Sequence, residues 1–295
     1  MTNSAPPQEG AEAVVKRNPH PDFKAVEASR PPFDTSKQFH YTQAPKPDWK
    51  PGEGANDASN LTKTHREIDP YAEGRPILYN YKLLISGIIP RPVGFVSTIS
   101  EDGQSTNLAP FSFFNVIAHN PPLFILGISG GFNRPKDTLS NLIDTKECVI
   151  NMISEEYIEA ANYAALDCPV GVSEWPFSGL HPVKSALVKP DRVQEAVFSV
   201  EAKLVETREW ESKVEPGRKT GVLAIVEGVR FWVREDAVNE EGNLIDPAVL
   251  KPIARLGGIS YTRVTEGFEL PRPVYNEVTK DPEVAKLVKP KADGQ

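Results

Sequence analysis

The chain is poor in cysteine, has no excess of basic charge and contains no long apolar run. Of its 295 residues only Cys148 and Cys168 are cysteines. Neither lies in a Cys-x-x-Cys pair, so the usual zinc and dithiol redox motifs are absent. The net charge of −7 argues against the basic stripe typical of nucleic-acid-binding proteins. No apolar run approaches the roughly 18 residues of a membrane helix, and no signal sequence opens the chain. These absences predict a soluble, cytoplasmic protein with neither a nucleic-acid nor a membrane partner.

Motifs for several kinds of chemistry are also missing. The five histidines have no helix-face or strand-face ligand spacing, so no metal site is predicted; they are His20, His40, His65, His119 and His181. The Gly-rich run at residues 127–131 fails the Gly-x-Gly-x-x-Gly spacing of a dinucleotide site. No serine lies in a nucleophile elbow. The sequence therefore identifies no catalytic residue.

Composition divides the chain into three parts. Residues 1–70 are rich in Pro, Ala, Asp and Asn, with sparse apolar side chains, which predicts an extended or disordered arm. The composition predicts a compact domain over residues 71–265. It predicts a second extended segment, the tail, over residues 266–295. Four aromatic residues in the arm could attach it to the domain or to a second subunit: Phe33, Phe39, Tyr41 and Trp49.

The compact domain consists mainly of strand-like segments. β-Branched and apolar runs bounded by turn residues predict strands over residues 93–99, 123–128, 148–153, 197–204, 222–233 and 259–264. Apolar residues at helical spacing predict helices over residues 138–146 and 155–166. Because strands outnumber helices and the turns are short, the pattern predicts a mainly β protein with a closed antiparallel barrel.

Five motifs occur in a fixed order between residues 76 and 262. They are Pro-Arg-Pro and Asn-Leu-Ala-Pro-Phe-Ser within 90–115, Arg-Pro-Lys-Asp-Thr-Leu-Ser-Asn at 134–141, Glu-Cys-Val-Ile-Asn at 147–151, Ser-Glu-Trp with Gly-Leu at 173–180, and Arg-Leu-Gly-Gly-Ile-Ser-Tyr at 255–261. Together they resemble the FMN-binding split-barrel family, in its flavin-reductase-like branch. The resemblance implies a Greek-key split β-barrel with a few flanking helices, an FMN cofactor, and a homodimer with the flavin at the subunit interface.

Three residues at the start of the first predicted helix suit the FMN phosphate. Lys136 supplies a cation and Thr138 a hydroxyl, and the first turn of a helix offers N–H groups and a favourable dipole. Ordinary helix capping by Asp137 or Thr138 would give the same pattern. The residues alone favour capping, whereas the resemblance favours phosphate binding.

The paired segments near residue 100 supply the other candidates. Ser97 and Thr98 point to opposite faces of a strand, so one of them can reach ribityl or phosphate oxygens, and Asn107 can donate and accept at the ring or ribityl chain. Pro110 predicts an edge or bulged strand. We expect the segment around Pro110 to contact the flavin ring; it consists of Ala109, Pro110, Phe111 and Ser112. Phe113 and Phe114 are expected to belong to the core.

Two arginines leave two interpretations open. Arg91 lies between two prolines, and Arg255 precedes a Gly-Gly turn. Either residue can reach phosphate or pyrimidine oxygens of FMN, and either can instead form a surface ion pair.

The function expected from the resemblance is electron transfer through FMN. Electrons would come from NAD(P)H or a protein donor and pass to flavin, oxygen or a small organic acceptor. Many nicotinamide-dependent members carry a histidine in a late barrel strand, but residues 222–233 contain none, and Arg230 and Trp232 occupy that region. The missing histidine favours one alternative, a non-catalytic FMN carrier. The arm with its aromatic residues leaves a second alternative, an interaction scaffold without a cofactor.

Overall fold

The computed structural model describes residues 19–288, and contacts divide them into two compact units. The larger unit comprises residues 19–37 and 69–264, and the smaller unit comprises residues 38–68 and 265–288. The predicted arm is thus shared between both units. Its first 18 residues, and residues 289–295 of the predicted tail, lie outside the described residues.

The elements are named here in chain order. The strands are β1 His40–Thr42, β2 Gly94–Ile99, β3 Thr106–Phe111, β4 Phe114–His119, β5 Pro122–Ser129, β6 Glu147–Met152, β7 Pro182–Val183, β8 Arg192–Val193, β9 Phe198–Glu211, β10 Lys219–Val233, β11 Ile253–Arg255, β12 Tyr261–Arg263 and β13 Glu266–Phe268. The helices are α1 Phe23–Ala28, α2 Ile77–Gly87, α3 Asp137–Thr145, α4 Ile158–Tyr163, α5 Trp175–Ser178, α6 Pro247–Leu250, α7 Tyr275–Val278 and α8 Pro282–Ala285, with 3₁₀ turns at Ala58–Thr62 and Glu155–Tyr157.

A seven-stranded antiparallel sheet forms the larger unit, in the order β3-β2-β6-β9-β10-β5-β4. The predicted mainly β class is confirmed. The predicted closure is not seen, because the edge strands β3 and β4 form no ladder with each other. Pro110 lies within β3 and has no N–H to donate, which suits an edge and weakens any further pairing there.

Two hydrophobic clusters cover the two faces of the sheet. Val96 packs in one cluster with Leu126 and Leu139, whereas its neighbour Phe95 packs in the other with Trp175. Successive side chains of a strand point to opposite faces, so β2 is buried on both sides. The strand that carries Ser97 and Thr98 is therefore an interior element.

Helix α3 lies close to its predicted position over residues 138–146. Leu139 and Leu142 are fully buried, which gives the helix an apolar face against the sheet. Lys136 precedes it with extended backbone angles, and Lys146 ends it at φ 63°. The N-terminus of α3 thus has a fixed position beside β2 and β3.

Helix α2 and strand β4 are two of the elements of the larger unit that were not predicted. Helix α2 buries only Ile85, while Leu83 and Leu84 are half exposed, so its apolar residues do not follow one core-facing stripe. Strand β4 has exposed Val116 and Ile117 and does not alternate cleanly. The predicted helix over residues 155–166 is instead a 3₁₀ turn followed by the short α4.

The smaller unit is formed by segments from both ends of the chain. Strand β1 pairs in parallel with β13, with His40 opposite Glu266 and Thr42 opposite Phe268. Phe39 and Tyr41 meet edge to face with ring centroids 5.1 Å apart. In this unit residues of the predicted arm therefore pair with residues of the predicted tail. Across residues 19–288 no helix is long and apolar enough to cross a membrane.

Candidate functional site

A cavity of about 2890 Å³ lies within the larger unit. Strand β3, the start of α3, the β11–β12 ribbon and residues 31–34 contribute to its lining. All predicted cofactor-binding residues except Ser97 and Thr98 line it. The structure thus brings together residues that are far apart in sequence, from Arg91 to Arg255.

The start of α3 and the outer strand β3 are joined by one buried hydrogen bond. The side-chain amide of Asn107 donates to the hydroxyl oxygen of Thr138 over 2.7 Å. Because the Thr138 oxygen accepts this bond, its own proton remains available for an acceptor in the cavity. Lys136 and Asp137 line the cavity beside it. A cation, a hydroxyl and first-turn N–H groups therefore meet at one helix N-terminus, as anion binding requires.

Ser97 and Thr98 do not line the cavity beside the N-terminus of α3. Thr98 is the cross-strand partner of Asn107 and accepts a 3.1 Å hydrogen bond from the amide of Asn141 on α3. Ser97 donates from its hydroxyl to the backbone oxygen of Asp191. Both side chains are only 1% exposed. In this structure they support the cavity wall and do not line it.

The outer edge of β3 carries few free donors. The backbone N–H of Leu108 donates to a carboxylate oxygen of Glu174 over 3.0 Å, so residue 108 faces away from β2. Residue 110 shares that orientation by strand alternation, and Pro110 has no N–H. The edge therefore presents mainly carbonyl acceptors, and a ring that binds here would have to offer N–H donors.

Glu174 is a cavity residue that sequence reasoning did not select. It is 6% exposed, and burial, reinforced by the charge of Asp137, raises its pKa despite the hydrogen bond from Leu108. Asp137 in turn accepts from the backbone N–H of Gly171 over 3.2 Å. The Ser-Glu-Trp motif could have pointed to Glu174 as a site residue. The motif alone does not show that the Glu174 carboxylate faces β3.

The two arginines occupy neighbouring positions. Their backbones form a bridge, with Arg91 N–H donating to Arg255 over 3.0 Å and the reverse bond at 2.9 Å. The Arg91 guanidinium donates to the backbone oxygens of Ile85, Ile88 and Leu256. Burial, and then the charge of Arg255, lower the pKa of Arg91.

Neither arginine has a carboxylate partner within 4 Å in the described part of the chain. Arg255 instead donates to the Gly258 oxygen over 2.8 Å and lies 4.3 Å from the Tyr261 ring centroid. The interpretation as surface ion pairs is therefore not supported. The two guanidinium groups leave uncompensated positive charge at this side of the cavity.

The two neighbouring phenylalanines have different environments. Phe114 is 8% exposed and packs in the core, as predicted, whereas Phe113 is 50% exposed and lines the cavity. The Phe113 backbone oxygen accepts from Gly127 N–H over 2.7 Å. A Cβ atom on Gly127 would lie 2.9 Å from the Phe113 Cβ, so only glycine allows this close approach.

The part of β10 that faces the cavity is its beginning. Thr220, Gly221, Val222 and Leu223 line the cavity, whereas Arg230 and Trp232 do not. Trp232 donates from its indole N–H to Glu201 over 2.6 Å. Trp232 is therefore held by a contact outside the cavity.

Comparison with known proteins identifies the class. The family model named "Flavin reductase like domain" matches residues 86–251, which is more than half of the chain. The chain therefore belongs to the flavin-reductase-like family, and the resemblance predicted from the five motifs is confirmed.

The chain is also similar to two uncharacterized bacterial proteins. An uncharacterized protein from Aquifex aeolicus is 38% identical over 185 residues, which covers 62% of this chain and 89% of the relative. Uncharacterized protein YwrF from Bacillus subtilis is 36% identical over 193 residues, covering 65% and 93%.

Two solved structures share the fold. Nitrilotriacetate monooxygenase component B from Bacillus cereus is 34% identical with a TM-score of 0.66, and the match covers 71% of this chain and all of that one. The 2-nitrobenzoate 2-nitroreductase NbaA from Pseudomonas fluorescens is 27% identical with a TM-score of 0.61, covering 72% and 98%. Fold and relatives together support a flavin-related oxidoreductase.

Proposed function

We propose that this protein binds FMN in the cavity and passes electrons through it. The observation that carries the proposal is the joining of two predicted segments by the Asn107–Thr138 hydrogen bond, which places the N-terminus of α3 beside the edge of β3. FMN offers a phosphate dianion, a polyhydroxyl chain and a flat ring with N–H and carbonyl groups. The first suits the start of α3, and the N–H group of the ring can donate to a carbonyl oxygen at the edge of β3.

The chain's own residues have separate tasks in this proposal. Lys136 and the Thr138 hydroxyl bind the phosphate, and the first-turn N–H groups of α3 complete its shell. Residues 109–112 orient the ring. Arg255, with its charge uncompensated, lies within reach of ring or phosphate oxygens. Bound FMN would supply the redox chemistry, and the protein binding, orientation and tuning.

The proposed reaction takes electrons from NADH, NADPH or a protein donor and delivers them to flavin, oxygen or an organic acceptor. The nitroreductase and the monooxygenase component named above support this class of reaction. An anaerobic titration of FMN-loaded protein with NADH and with NADPH tests it. Bleaching of the flavin absorption at about 450 nm identifies the donor, and no bleaching with either nucleotide leaves a protein donor.

A second function, a non-catalytic FMN carrier, is favoured by one observation. No histidine occurs in β10, and the residues of that strand that face the cavity are Thr220 to Leu223. Steady-state oxidation of NADH or NADPH in the presence of FMN separates the two functions. Turnover excludes the carrier, whereas FMN binding without turnover supports it. Purified protein that binds no flavin would support the cofactor-free scaffold.

We also propose that the protein is a homodimer. Apolar side chains of α2 and of the edge strand β4 are half exposed, including Leu83, Leu84, Val116 and Ile117. An exposed edge with apolar neighbours requires a cover. Sedimentation velocity of the parent and of Leu84→Lys tests this proposal, with the exposed Leu61→Lys in the smaller unit as control. A monomeric parent would contradict it.

Closure of the sheet into a split barrel remains part of the proposal. Strand β3, at one edge, also contacts β5, which neighbours the other edge strand β4. We infer from this contact that the sheet curls so that its two edges approach.

A further inference from the structure

Residues 31–34, with the sequence Pro-Pro-Phe-Asp and named here the Pro-Phe segment, line the same cavity as the predicted flavin-binding residues. They belong to the larger unit, although they precede the 86–251 range that matches the family model. The cavity wall of this chain therefore includes a segment that the family match does not cover.

Arg263 holds the Pro-Phe segment in place. Its guanidinium donates to the backbone oxygen of Asp34 over 2.7 Å and lies 4.1 Å from the centroid of the Phe33 ring. Arg263 is itself fixed 3.8 Å from Glu155. Phe33 remains 62% exposed. One face of the ring is thus supported by a cation, and the rest of the ring is available for stacking.

The β11–β12 ribbon places this ring near the predicted flavin residues. Tyr261 is the partner of Arg255, and Arg263 is the partner of Ile253. Residues two apart on a strand share a face and are about 7 Å apart. Arg263, which contacts Phe33, therefore lies two residues along β12 from Tyr261, the partner of Arg255.

The cavity is larger than one ligand requires. Small-molecule sites usually measure about 300–1,000 Å³, whereas this cavity measures about 2890 Å³. Space remains for a second ring system next to the flavin. The Pro-Phe segment also brings negative charge, because Asp34 lines the cavity and hydrogen bonds from Ser36 lower its pKa. Glu159 lines the cavity as well. Lys37 and Arg263 line the cavity too, so charges of both signs surround the segment, and the ring face of Phe33 is the feature that remains to select a ligand.

We propose that Phe33, supported by Arg263, is a specificity-determining residue that stacks against a neutral, planar aromatic electron acceptor. The inference rests on the proposed flavin function. For a quinone acceptor, two electrons and two protons pass from reduced FMN to the quinone, which leaves as the hydroquinone while the flavin is oxidised. Phe33 takes no part in the transfer itself; it raises the affinity for the acceptor.

Stopped-flow reoxidation tests this inference independently of the physiological donor. FMN-loaded protein is reduced anaerobically with dithionite and mixed with menadione, a planar quinone, or with ferricyanide, which has no aromatic ring. We expect Phe33→Ala to raise the half-saturating menadione concentration about 2- to 13-fold, the range for an aromatic pair. The limiting rate, the ferricyanide rate and the FMN dissociation constant should stay unchanged. Phe33→Trp should restore the menadione affinity.

The control is Phe177→Ala, which removes a ring of similar exposure, 54%, that does not line the cavity. An unchanged menadione affinity in Phe33→Ala would overturn the inference. An equal loss of reoxidation rate with ferricyanide would also overturn it, because it would indicate a purely structural role for Phe33. A weaker affinity for NADH or NADPH with no change for menadione would overturn it as well. A parent that binds no FMN would instead contradict the proposed function, and this inference with it.

Discussion

Asn107 and Thr138 are joined by a 2.7 Å hydrogen bond that connects the sheet edge to the N-terminus of α3. Both side chains are at least 96% buried. The bond uses the Thr138 oxygen as acceptor and so orients its proton. It links the two segments that the proposed function requires to be adjacent.

A double-mutant cycle measures this link. Asn107→Leu and Thr138→Val each leave a buried polar partner unsatisfied, at a cost of about 1–3 kcal/mol in the free energy of unfolding. The double variant should cost less than the sum, with a coupling of about 0.5–3 kcal/mol. Urea unfolding of the cofactor-free protein provides the measurement. Pairing Asn107→Leu with Thr145→Val, whose hydroxyl bonds to Asn141, serves as the control and should be additive.

The cofactor should be FMN and not FAD. The proposed phosphate site is one helix N-terminus, and the sequence contains no adenylate-binding fingerprint. Flavin released by acid from the purified protein should co-migrate with FMN on chromatography. Predominant FAD would contradict the assignment of the phosphate site.

Lys136→Ala should weaken FMN binding by about 1–3 kcal/mol, because a charge-assisted hydrogen bond to the phosphate is lost. Thr138→Ala should cost about 1 kcal/mol. Quenching of flavin fluorescence on titration measures both. Lys203→Ala, an exposed lysine outside the cavity, should bind FMN as the parent does. Equal affinity of Lys136→Ala and the parent would place the phosphate elsewhere.

Glu201 should stabilise the fold above its ordinary pKa. Burial alone would raise its pKa, but hydrogen bonds from Ala186, Trp232 and Leu187, with the charge of Arg192, outweigh burial and lower it. Its stabilisation is complete above the ordinary value of 4.5 and is lost as the pH falls through the folded-state value. Near neutral pH, Glu201→Gln should therefore have a free energy of unfolding about 1–3 kcal/mol below that of the parent. This difference between variant and parent should become smaller in acid.

Glu174 should show the opposite dependence. Because its pKa is raised by burial, the folded protein binds more protons than the unfolded chain above pH 4.5. Stability therefore falls as the pH rises through that window. Relative to the parent, Glu174→Gln should gain stability with rising pH, whereas Glu201→Gln should lose it. Urea unfolding of both variants across the same pH series measures the two slopes, and parallel slopes would refute the assignment.

Local patterns in the sequence predicted the parts of the fold that depend on local chemistry. The apolar spacing of Leu139 and Leu142 fixed α3, and Pro110 marked β3 as an edge strand. Helix α2 and strand β4 escaped prediction because their apolar residues face outward and give no core-facing period. The candidate residues depend on tertiary contacts more strongly. The sequence around Thr98 does not show that its hydroxyl oxygen accepts a hydrogen bond from Asn141.

The pairing of β1 with β13 has a kinetic consequence. It joins His40 to Glu266, so the ladder closes a loop of more than two hundred residues. Such a contact gains little until the intervening chain is ordered. We therefore expect this ladder to form last during folding and to open first in dilute denaturant. Hydrogen exchange should show the amides of β1 and β13 opening together, ahead of those in β9 and β10.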